Sequence, residues 1–171
     1  MADFHQAVTA DDFDHVGELV HEYMQWVHDR LNEEYGIDFD VRVKVAQDMA
    51  ELPMFSPPHG RLVLATLGPD AVGLGCLGQI GDELGEIKHL YVQPEFRGRG
   101  IGRGLLEYLL GEATMIGYRC LRLDSPRFME VAHSLYRSCG FREIEPYPET
   151  GIPKEFHGNW VFMGRDLREV V

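Results

Sequence analysis

Three cysteines in 171 residues are too few and too scattered for a disulfide framework. Cys76, Cys120 and Cys139 match no zinc spacing either, so buried free thiols in a reducing cytoplasm are the expectation. The eight histidines form no H-x-x-x-H pair with a carboxylate partner, and no metal is expected. No apolar run is long enough to span a membrane. The first residues show no basic segment followed by an apolar one, so no secretory signal and a cytoplasmic location are expected. Positive charge is scarce: 16 basic against 28 acidic residues give a formal net charge of −12. That balance argues against nucleic acid as a partner. It suits a cationic partner, although solubility alone also explains it.

Two common nucleotide signatures are missing as well. What stands in their place is residues 86–106, EIKHLYVQPEFRGRGIGRGLL, where a strand pattern runs into a glycine-rich loop and then into a helix pattern. Free N–H groups at a helix start, together with the helix dipole, favour an anion. Gly98, Gly100, Gly102 and Gly104 let a phosphate approach the backbone. Arg97, Arg99 and Arg103 add charged donors in an otherwise acidic chain. The dinucleotide fingerprint fails because Arg103 occupies the place of the third glycine counted from Gly98, and the P-loop ending is absent. The surviving pattern, Arg97-x-x-Gly100-x-Gly102, resembles the coenzyme A pyrophosphate motif of the GCN5-related N-acetyltransferase (GNAT) family. A second block, Ala132-x-x-Leu135-Tyr136-x-x-x-Gly140-Phe141, resembles that family's other signature. Together they cover about a third of the chain.

The remaining pattern predicts one mixed α/β domain over residues 1–171. A strand is expected at 4–8, then a helix capped by Thr9 with Asp12 at its third position and a Val8–Phe13 staple. Its apolar stripe is Val16, Leu19, Val20, Tyr23, Val27 and Leu31. Trp26 lies off the stripe and reads either as packing or as a wall of an acceptor pocket. A connector at 32–38 leads to a short helix with Val41, Val45, Met49 and Leu52. Strands at 61–67, 71–80 and 84–92, joined by tight turns, predict an antiparallel meander. A helix at 100–116 and a strand at 119–124 then complete a parallel β-α-β crossover. Ser125-Pro126 is expected to open a helix burying Phe128, Val131, Ala132, Leu135 and Cys139. Strands at 141–145 and 160–166 flank a polar, proline-rich stretch. The resemblance implies this same order of elements.

The resemblance further implies transfer of an acetyl group from acetyl-coenzyme A to a primary amine in a ternary complex, with coenzyme A as product. The acceptor would be a small molecule, an amino acid or a peptide. A non-catalytic acyl-coenzyme A sensor of the same fold is the alternative, and a binder of an unrelated anion is another; a homodimer is compatible with either. The cofactor would lie against the backbone of Leu90, Tyr91 and Val92, with the Leu90 N–H facing the oxygen that gains charge, and against Arg97, Gly98, Arg99, Gly100, Ile101, Gly102 and Arg103. Tyr136 would protonate the leaving thiolate. The base stays open between Glu86, Asp124 and ordered water. Glu86 stands eleven residues before Arg97, as in the histone-acetylating branch, and Glu86, Lys88, Leu90 and Val92 share a face in a regular strand. Asp124 also reads as a helix cap. One departure from the family is Met129, where many members carry a cofactor-contacting asparagine.

Overall fold

The computed structural model describes residues 1–170. In chain order the elements are β1 (Asp3–Gln6), α1 (Ala10–Tyr35), α2 (Val41–Glu51), β2 (Arg61–Leu67), β3 (Asp70–Gly81), β4 (Leu84–Val92), α3 (Ile101–Ile116), β5 (Cys120–Pro126), α4 (Glu130–Ser138), β6 (Arg142–Ile144) and β7 (Trp160–Asp166). They build a seven-stranded sheet in the order β1-β2-β3-β4-β5-β7-β6. Two-residue links make β2, β3 and β4 antiparallel neighbours, whereas the α3 crossover makes β4 and β5 parallel. This is the mixed architecture expected from the sequence.

The helices cover the two faces of the sheet. α1 starts at a capping box: Thr9 Oγ1 accepts from the Asp12 N–H at 3.1 Å, and Asp12 Oδ2 accepts from the Thr9 N–H at 2.9 Å. The expected staple adds little, because Val8 and Phe13 are both exposed. α1 buries Val16, Leu19, Val20, Met24, Val27 and Leu31 against one face, in a core shared with Leu64, Leu74 and Tyr91. α3 buries Leu105, Leu106 and Leu109 against the other, in a core shared with Leu77, Ile87 and Tyr136. Cys76 and Cys139 are buried as free thiols, and Cys120 is half-buried. No helix among the described residues is long and apolar enough to cross a membrane.

Two expectations are corrected. The helix expected from Ser125-Pro126 begins only at Glu130, because β5 continues through both residues, pairing Ser125 with Val161 and Pro126 with Trp160. Proline is tolerated there because it ends a strand whose other edge is unpaired. The buried face differs as well: His133 and Tyr136 are buried along with Cys139, and Val131 is 87% exposed.

The second correction lies in β4. Leu74 faces Tyr91 across the β3–β4 ladder and Cys76 faces Lys88, so two steps on β3 oppose three on β4. The extra residue is absorbed as a bulge at His89, whose φ is +52°. A bulge reverses the alternation of side chains beyond it. Glu86 and Lys88 therefore do not share a face with Leu90 and Val92. Lys88 approaches Glu51 of α2 at 3.8 Å, and the Tyr91 O–H donates to Glu22 of α1 at 2.7 Å. Leu90 and Val92 pack into the core under α3. On its other side β4 pairs with β5 only through Leu84, Gly85 and Glu86, and the two strands then separate.

Close approach around the bulge depends on Gly73. A Cβ there would lie 2.7 Å from the Tyr91 carbonyl oxygen and 3.3 Å from Leu105 and Val92 atoms. Backbone cannot rotate away as a side-chain tip can. Gly73→Ala should therefore cost about 1–3 kcal/mol and lower Tm by several degrees in thermal unfolding; an unchanged Tm would contradict this packing.

Candidate active site

Two clefts flank the place where β4 and β5 separate, of about 500 Å³ and about 560 Å³. Tyr23, Leu90 and Tyr136 line both, so the clefts meet at these residues.

The cleft of about 560 Å³ runs along the glycine loop. Gly98 and Gly100 adopt left-handed backbone, φ 76° and 79°, and a Cβ on either would meet nothing within 4 Å. The space over the loop is therefore open, and it faces the N-terminus of α3. Gly98, Gly100, Ile101, Gly102, Arg97 and Arg103 line it together with Val92 and Tyr91. Arg97 is fixed twice: its Nε donates to the Val92 carbonyl at 2.8 Å, and its guanidinium lies 4.9 Å from the Trp26 ring and 5.5 Å from the Tyr91 ring. Arg103 donates to Ser138 Oγ at 2.8 Å. Arg99 stands off the cleft, over Phe96 and bonded to the Glu95 carbonyl. Trp26 lines this cleft and not the other, so its reading as a wall of an acceptor pocket is replaced. Met129 lines it as well.

The separated strand edge also has a direction. The Gln93 N–H donates to Val72 on β3, at 3.0 Å. Alternation along the strand then turns the Leu90 and Val92 backbone groups away from β3, toward the gap. The Val92 carbonyl, captured by Arg97, points that way.

The second cleft is lined by β4, β5, α1, α2 and the loop after β6. Asp124 and Lys88 face it. Glu86 is 3% exposed and, like Tyr147, to which it is hydrogen-bonded, is not among its lining residues. The Tyr147 O–H lies 2.7 Å from Glu86 Oε2 and 3.1 Å from Asp124 Oδ2, and Thr150 Oγ1 donates to Asp124 Oδ2 at 2.9 Å. Asp124 is therefore tied to the 146–159 stretch, and its reading as a helix cap falls with the later start of α4. Burial pushes both carboxyls above their ordinary values. The one phenolic hydrogen can be given to only one carboxylate at a time, and the shorter contact is to Glu86, which leaves the Tyr147 oxygen able to accept a proton from Asp124. Lys88 lies 3.5 Å from Glu86; burial works against its charge, but Glu86, Glu51 and Asp124 outweigh that and push its pKa up. Tyr136 is 6% exposed, and burial, with the Asp124 charge second, pushes its phenol up. It therefore keeps its proton at neutral pH.

Tyr147, Thr150 and Glu22 carry no signal that sequence reading could use. Each acts across a long separation: 61 residues for Tyr147–Glu86, 26 for Thr150–Asp124 and 69 for Tyr91–Glu22.

A family model described as an acetyltransferase (GNAT) domain matches residues 58–143, half of the chain. An N-acetyltransferase of Schizosaccharomyces pombe is 33% identical over 147 residues, 83% of each chain. The chain belongs to the GNAT family. Among GNAT structures, an N-acetyltransferase from Thermoplasma acidophilum in complex with coenzyme A superposes with a TM-score of 0.74 at 19% identity, covering 97% of this chain and 99% of the other. The yncA structure from Salmonella typhimurium, which holds acetyl-CoA, superposes at 0.67 with 20% identity, covering 100% and 96%. The matched residues of this GNAT chain include the glycine loop and Tyr136 but stop short of Tyr147.

Proposed function

We propose that this protein transfers the acetyl group of acetyl-coenzyme A to a primary amine, by direct attack with both substrates bound. The observation that carries this reading is the meeting of the two clefts at Leu90 and Tyr136. One cleft offers a helix start, glycine backbone and arginines, which suit a pyrophosphate; the other offers carboxylates, which suit an amine.

Acetyl-coenzyme A, when bound, supplies an acetyl group activated as a thioester. The loop N–H groups at Gly100, Ile101 and Gly102, with Arg97 and Arg103, hold its pyrophosphate. The backbone of Leu90, Tyr91 and Val92 aligns its arm along the open strand edge, and the Leu90 N–H donates to the oxygen that gains negative charge. An amine near pKa 10 must lose a proton to react. Asp124 accepts it, since Asp124 faces the cleft. Tyr147 takes that proton at Oη while passing its own to Glu86, so Glu86 serves as the base at one remove. The carbon–nitrogen bond forms first; Tyr136 then gives its hydroxyl proton to the departing sulfur as the carbon–sulfur bond breaks, and the second proton, shed by the nitrogen as it becomes an amide, restores the Tyr136 hydroxyl.

Release of thiol from acetyl-coenzyme A on addition of amines tests the reading; no release with any amine would contradict it. Tyr136→Phe keeps the volume of a buried ring and removes only the hydroxyl. Its kcat should fall by roughly 10² or more with Tm nearly unchanged. Full activity would reduce Tyr136 to a packing residue.

The carboxylate unit makes a signed prediction for pH. Proton acceptance needs an ionised carboxyl, and burial raises both groups above 4.5 for Glu86 and 3.8 for Asp124. The acidic limb of kcat/KM should therefore lie above those values. Tyr147→Phe removes a hydrogen bond that favours the ionised forms, so the limb should move to higher pH. Glu86→Gln removes the final proton acceptor, so kcat/KM should fall, and it removes a like charge near Asp124, so the remaining limb should move lower. Asp124→Asn should cost roughly 10²-fold or more in kcat/KM; full activity of that variant would pass first acceptance of the proton to Glu86.

A further inference from the structure

The amine-side cleft contains a carboxylate that the proposed proton path does not use. Asp48, on α2, lines the cleft and is 2% exposed. Its Oδ1 pairs with Lys44 Nζ and lies 4.0 Å from His89 Nε2. Its Oδ2 is buried and has no hydrogen-bond partner among the described residues. A buried carboxylate oxygen left unpaired costs on the order of 1–3 kcal/mol, so such an oxygen in a cleft wall is a receptor for a donor. His89 does not fill the role: its Nε2 stands 4.0 Å from Oδ1, beyond hydrogen-bond reach, and burial, which pulls its imidazole down to about 4, leaves it uncharged at neutral pH.

The charges around it point the same way. Asp38, Asp48, Glu51 and Asp124 line the cleft against Lys44 and Lys88, four carboxylates to two ammonium groups, with no arginine. Both lysines are committed: Lys44 to Asp48, and Lys88 to Glu86 at 3.5 Å and Glu51 at 3.8 Å. An acceptor carrying a carboxylate would find no uncommitted cation here. A second ammonium group would find Asp48 Oδ2 and a negative surrounding field. Much of the remaining wall is apolar and suits a hydrocarbon linker.

We propose that the acceptor is a small di- or polyamine, acetylated on one amino group beside Asp124 while Asp48 holds a second, charged amino group. This rests on the acetyltransferase reading above. The experiment compares three acceptors of equal chain length in the thiol-release assay: a linear monoamine, an α,ω-diamine and an ω-amino acid. The diamine should give kcat/KM at least tenfold above both others. Asp48→Asn keeps the shape and removes the charge; it should bring the diamine-to-monoamine ratio to within about threefold, chiefly through KM. Equal values for the three acceptors in the unaltered protein, or a preference for the amino acid, would overturn the diamine proposal and leave the acetyltransferase reading standing. No release with any of them would overturn both. Should Asp48→Asn fail to fold, as read by circular dichroism, the comparison with the unaltered protein decides alone.

Discussion

β4 cannot remain in register with both of its neighbours. It carries one residue more than β3 between Lys88 and Tyr91, and the surplus at His89 bends the strand. Pairing with β5 has already ended at Glu86. A parallel sheet interior that loses its partner leaves backbone donors and acceptors unsatisfied, and such groups demand a partner. The gap thus works as a binding edge: an extended arm lying in it completes the sheet, as an added strand would. The same bulge sorts the side chains. Glu86, Lys88 and Tyr91 face α1 and α2, where Tyr91 bonds Glu22, and Leu90 and Val92 anchor the strand on α3.

Around this edge the charges are divided by cleft. The chain is strongly acidic, with a net charge of −12, yet Arg97 and Arg103 stand at the glycine loop, with Arg30 across the same cleft. Arg97 is pinned by the Val92 carbonyl and two aromatic rings, which spares the entropy of ordering a long side chain on binding. The opposite cleft holds buried carboxylates whose ionisation is discouraged by burial and moderated by Tyr147, Thr150 and Lys88. Burial makes both carboxyls better proton acceptors than exposed carboxylates are.

Much of this was legible in the sequence. The tight turns after Leu67 and Gly81, the glycine loop and the capped α1 are local devices, and local devices read well. Tyr136 is legible through its motif, although its helix starts only at Glu130. What was not legible was non-local. The bulge at His89 breaks strict alternation without a glycine or proline to announce it, and regular alternation puts Glu86 and Leu90 on one face. Ser125-Pro126 has the chemistry of a helix start, but pairing with Val161 and Trp160 overrides it. Tyr147 sits in a polar stretch without periodicity, and only the folded chain brings it to Glu86 and Asp124. Asp48 lies among the polar residues of a short amphipathic helix, and only burial distinguishes it.

The central claim is that the unpaired edge of β4 beyond the bulge is where acetyl-coenzyme A lies. Amide hydrogen exchange resolved to single residues, with and without saturating coenzyme A, tests it most directly. The Leu90 and Val92 amides should gain protection on binding, and the Tyr91 and Gln93 amides, which face β3, should change little. Binding of coenzyme A that leaves Leu90 and Val92 exchanging as before would contradict the account.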